Sequence, residues 1–129
     1  MDLKRFDSVT RSEAGVECKL LDPITKSESG ASLVLFGVDS SIYKQIEKEQ
    51  QARHKNLGRA LSVEEIYEDT IEKAARMTKD WKGFSLDGKE LPFTQEEARR
   101  IYKAYPYIFD SAAAFMFTRT NFFEKAFGS

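Results

Sequence analysis

The sequence is short of the residue types that carry most enzymatic and metal chemistry. Among its 129 residues there are one cysteine, one histidine, one tryptophan and three prolines. The lone cysteine, Cys18, excludes an internal disulfide and favours a reducing compartment. His54 stands in a run of charged residues, so we expect it on the solvated surface, and no second Cys or His stands at metal-ligand spacing. The sequence therefore predicts no catalytic residue, no metal site and no cofactor.

Long apolar runs and a charge excess are missing as well. No stretch reaches the roughly 18 apolar residues of a membrane span, and the charged start of the chain lacks the pattern of a signal peptide. We therefore expect no membrane partner. The 20 Lys and Arg side chains nearly balance the 21 Asp and Glu side chains. Because nucleic-acid binding needs a basic surface, no nucleic-acid partner is expected either.

The apolar periodicity predicts an α+β, mostly α-helical fold that forms a single domain over residues 1–129. Short apolar segments on both sides of a Pro-containing turn predict a small N-terminal β-hairpin in the region 15–38. Residues 41–57 have almost no apolar face, which predicts either a solvated helix or a flexible connector. About four helices are expected in all, with the helical body at 62–127.

Two capping boxes, Ser62–Glu65 and Thr94–Glu97, predict helix starts in this body. After the first, apolar or small residues recur at helical spacing, and we expect their stripe to face the core. The stripe comprises Val63, Ile66, Tyr67, Thr70, Ile71, Ala74, Ala75, Met77, Thr78 and Trp81. Pro106 is expected to begin the last helix, a long one that runs to about Phe127.

The last helix is predicted to be rich in aromatic residues. Six of the ten phenylalanines lie in it: Phe109, Phe115, Phe117, Phe122, Phe123 and Phe127. On a helical wheel they do not share one face, so this helix is either a core helix wrapped by the others or a surface that meets another chain. Under the second interpretation, Phe122→Asp or Phe123→Asp breaks an assembly and leaves the monomer folded.

An ordered set of short motifs extends over residues 15–127. It comprises Asp22-Pro23, then Gly37 with Asp39-Ser40, then Trp81 with Gly83, then Asp87-Gly88 with Pro92-Phe93, and finally Pro106. In this order the motifs resemble those of the tail assembly chaperones of phages with long, non-contractile tails. One departure is Lys26-Ser27, where the turn of that family usually has Gly.

The resemblance implies a non-enzymatic chaperone that binds the tape-measure protein, keeps this long helical chain soluble and helps to recruit tail-tube subunits. It also implies a homo-oligomer, made from a phage or prophage gene, that acts in the host cytoplasm and is absent from the mature virion. Two other functions stay open on the sequence. They are a helical nucleic-acid-associated phage protein and a structural tail-completion subunit.

Overall fold

A computed structural model describes residues 1–125 of the chain. More than half of the chain is helical and packs with a small antiparallel sheet, so the predicted mixed, mostly helical fold is confirmed. The strands are β1 (Val16–Leu21), β2 (Glu28–Leu35), β3 (Thr78–Lys82), β4 (Ser85–Leu86) and β5 (Lys89–Glu90). The α-helices are α1 (Val9–Ala14), α2 (Ser41–Leu57), α3 (Val63–Arg76), α4 (Gln95–Ala104) and α5 (Pro106–Met116), with 3-10 turns at Leu3–Phe6 and Arg119–Phe122.

Strands β1, β2 and β3 form one antiparallel sheet in that order, whereas the sequence predicted two strands here. The inner face of the sheet is buried in a core shared with α3, α4 and α5; its side chains include Cys18, Leu20, Leu33, Leu35 and Trp81. The opposite face carries charged side chains such as Glu17 and Lys19. This alternation is the one expected of an antiparallel sheet that helices cover on one side.

Strand β3 takes the place of the end of a predicted helix. The apolar stripe was expected to continue through Thr78 and Trp81, but α3 ends at Arg76 and both residues lie in the strand. Both are nevertheless buried, and the Thr78 hydroxyl lies 2.7 Å from that of Tyr102. The register of β3 against β2 shifts at Lys79. Such a bulge lets two residues three apart face the same side, a spacing that otherwise indicates a helix.

Residues 41–57 form a continuous helix that packs along α3. The side chain of Ser40 accepts the N–H of Tyr43 (3.2 Å), and Gly58 ends the helix in the left-handed conformation. Because most of its surface is polar, α2 buries only Ile46 and Gln50 among its own residues. Ion pairs supplement this small contact: Glu47 with Lys73, and Glu49 with Arg76.

The first two turns of α3 are exposed, although the whole apolar stripe was expected to face the core. The capping box at Ser62 is confirmed, with both of its reciprocal hydrogen bonds present. Val63 is nevertheless 79% exposed, and Ile66 and Tyr67 are exposed as well. The reason is that α3 reaches the core only from Ile71 onwards.

The last helix is shorter than predicted. α5 ends at Met116, and the chain turns back through the 3-10 turn instead of continuing as a helix to Phe127. The hydroxyl of Thr118 donates to the carbonyl of Ala114 (2.6 Å). This bond satisfies one of the final helical carbonyls and so helps to end the helix. Phe127 lies outside the described residues.

Candidate functional site

The structure distributes the C-terminal phenylalanines over the core and the surface. Phe122 is fully buried (0% exposed), and its ring lies edge-on to that of Phe115 with 5.8 Å between the centroids. Phe109 and Phe115 are partly buried against the core, and Phe123 is half-buried. Phe117 is 47% exposed. These rings therefore do not form one exposed face, and Phe122 is buried in the core of the chain.

Three motif residues, Gly37, Asp39 and Ser40, lie where the chain passes from β2 into α2. The Asp39 carboxylate accepts hydrogen bonds from the Ser8 hydroxyl (2.5 Å) and from the Arg119 guanidinium (2.8 and 3.1 Å). Ser40 caps α2. Asp39 thus joins Ser8 and Arg119, which are far apart in the sequence, to the start of α2. The group formed by Ser8, Asp39, Ser40 and Arg119 is termed the closing junction.

The closing junction should make stability depend on pH. Hydrogen bonds from Arg119, and then from Ser8, hold the pKa of Asp39 below its ordinary value of 3.8. A carboxyl group with a lowered pKa stabilises the fold above about pH 4, and this contribution is lost as the pH falls through the lower pKa of the folded state. We therefore expect Asp39→Asn to lower the free energy of unfolding by about 1–3 kcal/mol at neutral pH.

Urea unfolding followed by circular dichroism measures this effect. The difference between Asp39→Asn and the wild type should shrink as the pH falls below the pKa of Asp39 in the folded state, because the wild-type carboxylate is then protonated too. A difference that stays constant with pH would contradict the role assigned to Asp39.

The other nine motif residues gather at the opposite end of the sheet. They are Asp22, Pro23, Trp81, Gly83, Asp87, Gly88, Pro92, Phe93 and Pro106. Trp81 lies near the end of β3, and the other eight belong to three segments: the β1–β2 turn, the connection from β3 to α4, and the junction of α4 with α5. The surface formed by residues 21–27, 83–93 and 105–108 is termed the turn end.

Asp22 shapes the first segment of the turn end. Its carboxylate accepts the N–H groups of Ile24 and Thr25, each at 2.9 Å. Lys26 has a φ of 64°, in the left-handed region that glycine adopts with the least strain. A Gly in this turn, as in the family that the motifs resemble, fits the same backbone. The departure at Lys26 is therefore compatible with the same left-handed turn.

Trp81 supports the second segment from within the core. Its indole N–H donates to the carbonyl of Leu91 (2.8 Å), and its ring lies edge-on to Phe84 and Phe93 at 4.8 and 5.1 Å. The pair Asp87-Gly88 has positive φ at both residues (52° and 80°). This is the conformation of a tight two-residue turn between paired strands, here β4 and β5.

Two close contacts join the three segments into one surface. Pro106 is the first residue of α5, and the hydroxyl of Tyr107 beside it donates to the carbonyl of Leu21 (2.9 Å). Gly83 lies so near β2 that a Cβ added there would be 2.4 Å from the carbonyl oxygen of Gly30. The turn, the connection and the helix junction therefore hold fixed positions relative to one another.

The turn end exposes a cluster of apolar side chains. Ile24, at the apex of the β1–β2 turn, is 88% exposed, and Leu21, Leu86, Tyr105 and Tyr107 are exposed on the same end of the molecule. A groove of about 250 Å³ opens between β4 and the α4–α5 junction. It is lined mainly by Phe84, Leu86, Leu91, Ile101, Tyr105 and Ile108. Exposed apolar clusters around a groove are typical of protein-binding surfaces.

The candidate reactive side chains of the sequence are engaged in packing. Cys18 is 5% exposed, and burial raises the pKa of its thiol to about 11, so the reactive thiolate is disfavoured. His54 is partly buried instead of fully solvated, with Nε2 2.5 Å from Oδ2 of Asp69. Within residues 1–125, no group of three or more His, Cys, Asp and Glu side chains is placed to bind a metal ion.

The arrangement of the turn end is suited to binding the apolar side chains of another molecule. In the part of the chain that the structure describes, no helix is both long enough and apolar enough to cross a bilayer. No family model, curated protein or solved structure matches this chain. Its function is therefore inferred from the turn end and from the ordered motifs.

Proposed function

We propose that this protein is a non-enzymatic tail assembly chaperone of a phage or prophage. In this proposal it binds the tape-measure protein, keeps it soluble in the host cytoplasm, helps to recruit tail-tube subunits and is absent from the mature virion. The observation that carries the proposal is the turn end, where nine of the twelve motif residues support one surface of exposed apolar side chains.

The proposed partner is a long, largely helical chain with apolar faces. An amphipathic helix binds a groove through apolar side chains spaced three or four residues apart. The groove lined by Phe84 and Tyr105 offers space for such side chains, and Ile24 and Tyr107 are further exposed apolar side chains of the turn end. Because this surface is small, each copy binds weakly. Many copies along one partner would keep it soluble while each remains easy to displace.

The N-terminal hairpin and the aromatic C-terminal region have different roles in this proposal. The hairpin of β1 and β2 presents Ile24 to the partner. The phenylalanines mostly hold α5 and the last 3-10 turn in the core, as Phe122 does. Phe117 remains as an exposed ring, next to Tyr43 at 6.2 Å, that a second copy in a homo-oligomer would contact.

Co-expression with the tape-measure protein of the same phage, with a tag on one of the two chains, tests the proposal. We expect a soluble complex that holds many copies of this chain per partner, and an insoluble partner when this chain is omitted. Mass spectrometry of purified virions should not detect the chain. Failure to form a complex with an intact partner would overturn the chaperone function.

The same preparations distinguish the other functions that the sequence leaves open. Recovery of the chain from purified virions would indicate a structural tail-completion subunit. Nucleic-acid affinity that falls steeply with salt would indicate a nucleic-acid-associated protein, because phosphate contacts release counterions.

The variant Ile24→Asp separates partner binding from folding. Ile24 is almost fully exposed, so we expect the free energy of unfolding to change by less than about 0.5 kcal/mol. A carboxylate placed in an apolar contact should reduce the affinity for the partner by roughly tenfold or more. The amount of complex recovered in the co-expression experiment measures this loss.

Val63→Asp is the matched control for Ile24→Asp. Val63 is also an exposed aliphatic residue, but it lies at the start of α3 and not on the turn end. We expect this variant to bind the partner like the wild type. An equal loss of complex in both variants would contradict the assignment of the binding surface to the turn end.

A further inference from the structure

Strand β1 lies at the edge of the three-stranded sheet, so within residues 1–125 its outer row of backbone groups has no strand partner. An open edge of this kind is a template for a strand of another chain. We propose that β1 pairs antiparallel with β1 of a second copy, joining the two sheets into one across a twofold axis at Cys18.

The hydrogen bonds of the sheet show which residues of β1 use their backbone groups inside it. The N–H of Phe36 donates to the carbonyl of Met77, on the β3 side of β2 (2.8 Å). Along a strand, the backbone N–H and C=O groups of successive residues point alternately to the two neighbouring strands. The backbone groups of Leu33, three residues before Phe36, therefore point to β1, where Leu33 pairs with Cys18. Cys18 therefore directs its N–H and C=O inward to β2.

Glu17 and Lys19, the neighbours of Cys18, consequently direct their backbone groups to the open edge. The carbonyl of Leu21, the next residue with this orientation, accepts the hydroxyl of Tyr107 (2.9 Å). That bond agrees with an outward direction for alternate residues of β1. It also closes the edge at this point, so the open part of β1 is short and centred on Cys18.

The sequence of β1 is complementary to itself around this centre. In an antiparallel pair centred on Cys18, Glu17 of each copy lies opposite Lys19 of the other. These two residues exchange backbone hydrogen bonds on both sides of the axis, and their side chains form two Glu–Lys pairs on the solvent face of the sheet. Two copies of β1 are therefore complementary both in the direction of their free backbone hydrogen-bonding groups and in the charge of the facing side chains.

The charge of Lys19 explains why the edge would select its own copy. A lysine on an edge strand normally discourages pairing with other strands, because the ammonium group would be placed against an unrelated strand. Within the chain Lys19 lies 3.4 Å from Glu28, and both side chains are largely exposed, so a strand with an acidic residue at the matching position supplies a second partner for this charge. β1 of a second copy supplies Glu17 at that position.

Strand β1 borders a groove of about 310 Å³ that lies between this strand and α5. Among the residues that line it are Cys18, Lys19, Tyr107, Ser111, Ala114 and Phe115. The α5 side chains Ser111 and Ala114 are small, whereas the rings of Tyr107 and Phe115 are large and would lie beside the paired strands.

Charge-exchange variants test the pairing. Glu17→Lys and Lys19→Glu each place like charges opposite one another at both symmetric positions. We expect either variant alone to raise the dissociation constant of the dimer by roughly tenfold or more. An equimolar mixture of the two single variants restores opposite charges, and so does the double variant. Both should associate within about threefold of the wild-type affinity, as measured by analytical ultracentrifugation at low salt.

Lys89→Glu is the matched control. Lys89 is an exposed lysine of β5, which belongs to the other sheet, so its replacement should leave the dissociation constant unchanged within about threefold. A wild-type chain that stays monomeric at its highest soluble concentration overturns the proposal. A mixture of the single variants that does not recover association also overturns it. The experiment needs this chain alone, so its outcome is independent of the chaperone function.

Discussion

Replacing Phe122 by alanine is expected to lower the free energy of unfolding by about 3–5 kcal/mol. The ring is fully buried, stacks edge-on against Phe115 and lies over Gly37, where an added Cβ would be 3.0 Å away from it. Its removal leaves a cavity between the last 3-10 turn and the β2–α2 step. Phe122→Asp adds an unpaired carboxylate to the same space, and we expect this variant to lose the folded state.

Chemical denaturation followed by far-ultraviolet circular dichroism measures both variants. Phe117→Ala is the control, because this ring is about half exposed and its loss should cost less than about 1 kcal/mol. If Phe122→Ala unfolded at the wild-type denaturant concentration, Phe122 would have to lie outside the core. The hypothesis that this residue forms an interface would then be the better one.

Gly83→Ala is expected to destabilise the fold by about 2–4 kcal/mol. Its φ of 82° is in the left-handed region, where a Cβ costs roughly 1–2 kcal/mol. The added Cβ would also lie 2.4 Å from the carbonyl oxygen of Gly30, and backbone atoms of β2 cannot yield as a flexible side chain can. Displacing β2 or the connection to β4 adds an overpacking cost of about 1–3 kcal/mol.

Gly88→Ala separates these two contributions. Gly88 has nearly the same φ, 80°, but no atom lies within 4 Å of the position of its added Cβ. We therefore expect only the conformational cost, about 1 kcal/mol. Thermal unfolding of the two variants measures the difference, and equal destabilisation would mean that the approach of Gly83 to β2 has no energetic weight. Loss of partner binding by Gly83→Ala with an unchanged melting temperature would assign this glycine to the binding surface itself.

Features that depend on neighbouring residues could be predicted from the sequence. Ser62 and Thr94 cap helices where hydroxyl groups were expected to do so, since capping involves residues within a single turn. The mostly helical composition follows from periodicity in the same way.

Features that depend on distant partners could not be predicted. Thr78 and Trp81 fit the spacing of a helix, but pairing with β2, far earlier in the chain, makes them part of a strand. The burial of Phe122 depends on a break in the last helix near Thr118 and on contacts with the β2–α2 step. A helical wheel assumes an unbroken helix, so it could not show which rings face inward.

The candidate site was predictable in its residues but not in its shape. The ordered motifs include most of the residues that support the turn end, while their proximity depends on contacts such as that of Tyr107 with Leu21. Ile24 was missed because one apolar residue in a turn has no periodicity. Its position inside a stretch of turn-forming residues, directly after Pro23, was the available signal.

The late position of Phe122 in the chain has a consequence for biosynthesis. During translation, β1 and β2 leave the ribosome long before β3, and a ribbon of two strands is only marginally stable in water. Even after β3 has emerged, the core stays open until Phe122 and Arg119 reach the β2–α2 step. The core of each newly made chain therefore closes only after Phe122 has been synthesised, and a premature stop before Phe122 yields a substrate for proteases instead of a partly active protein.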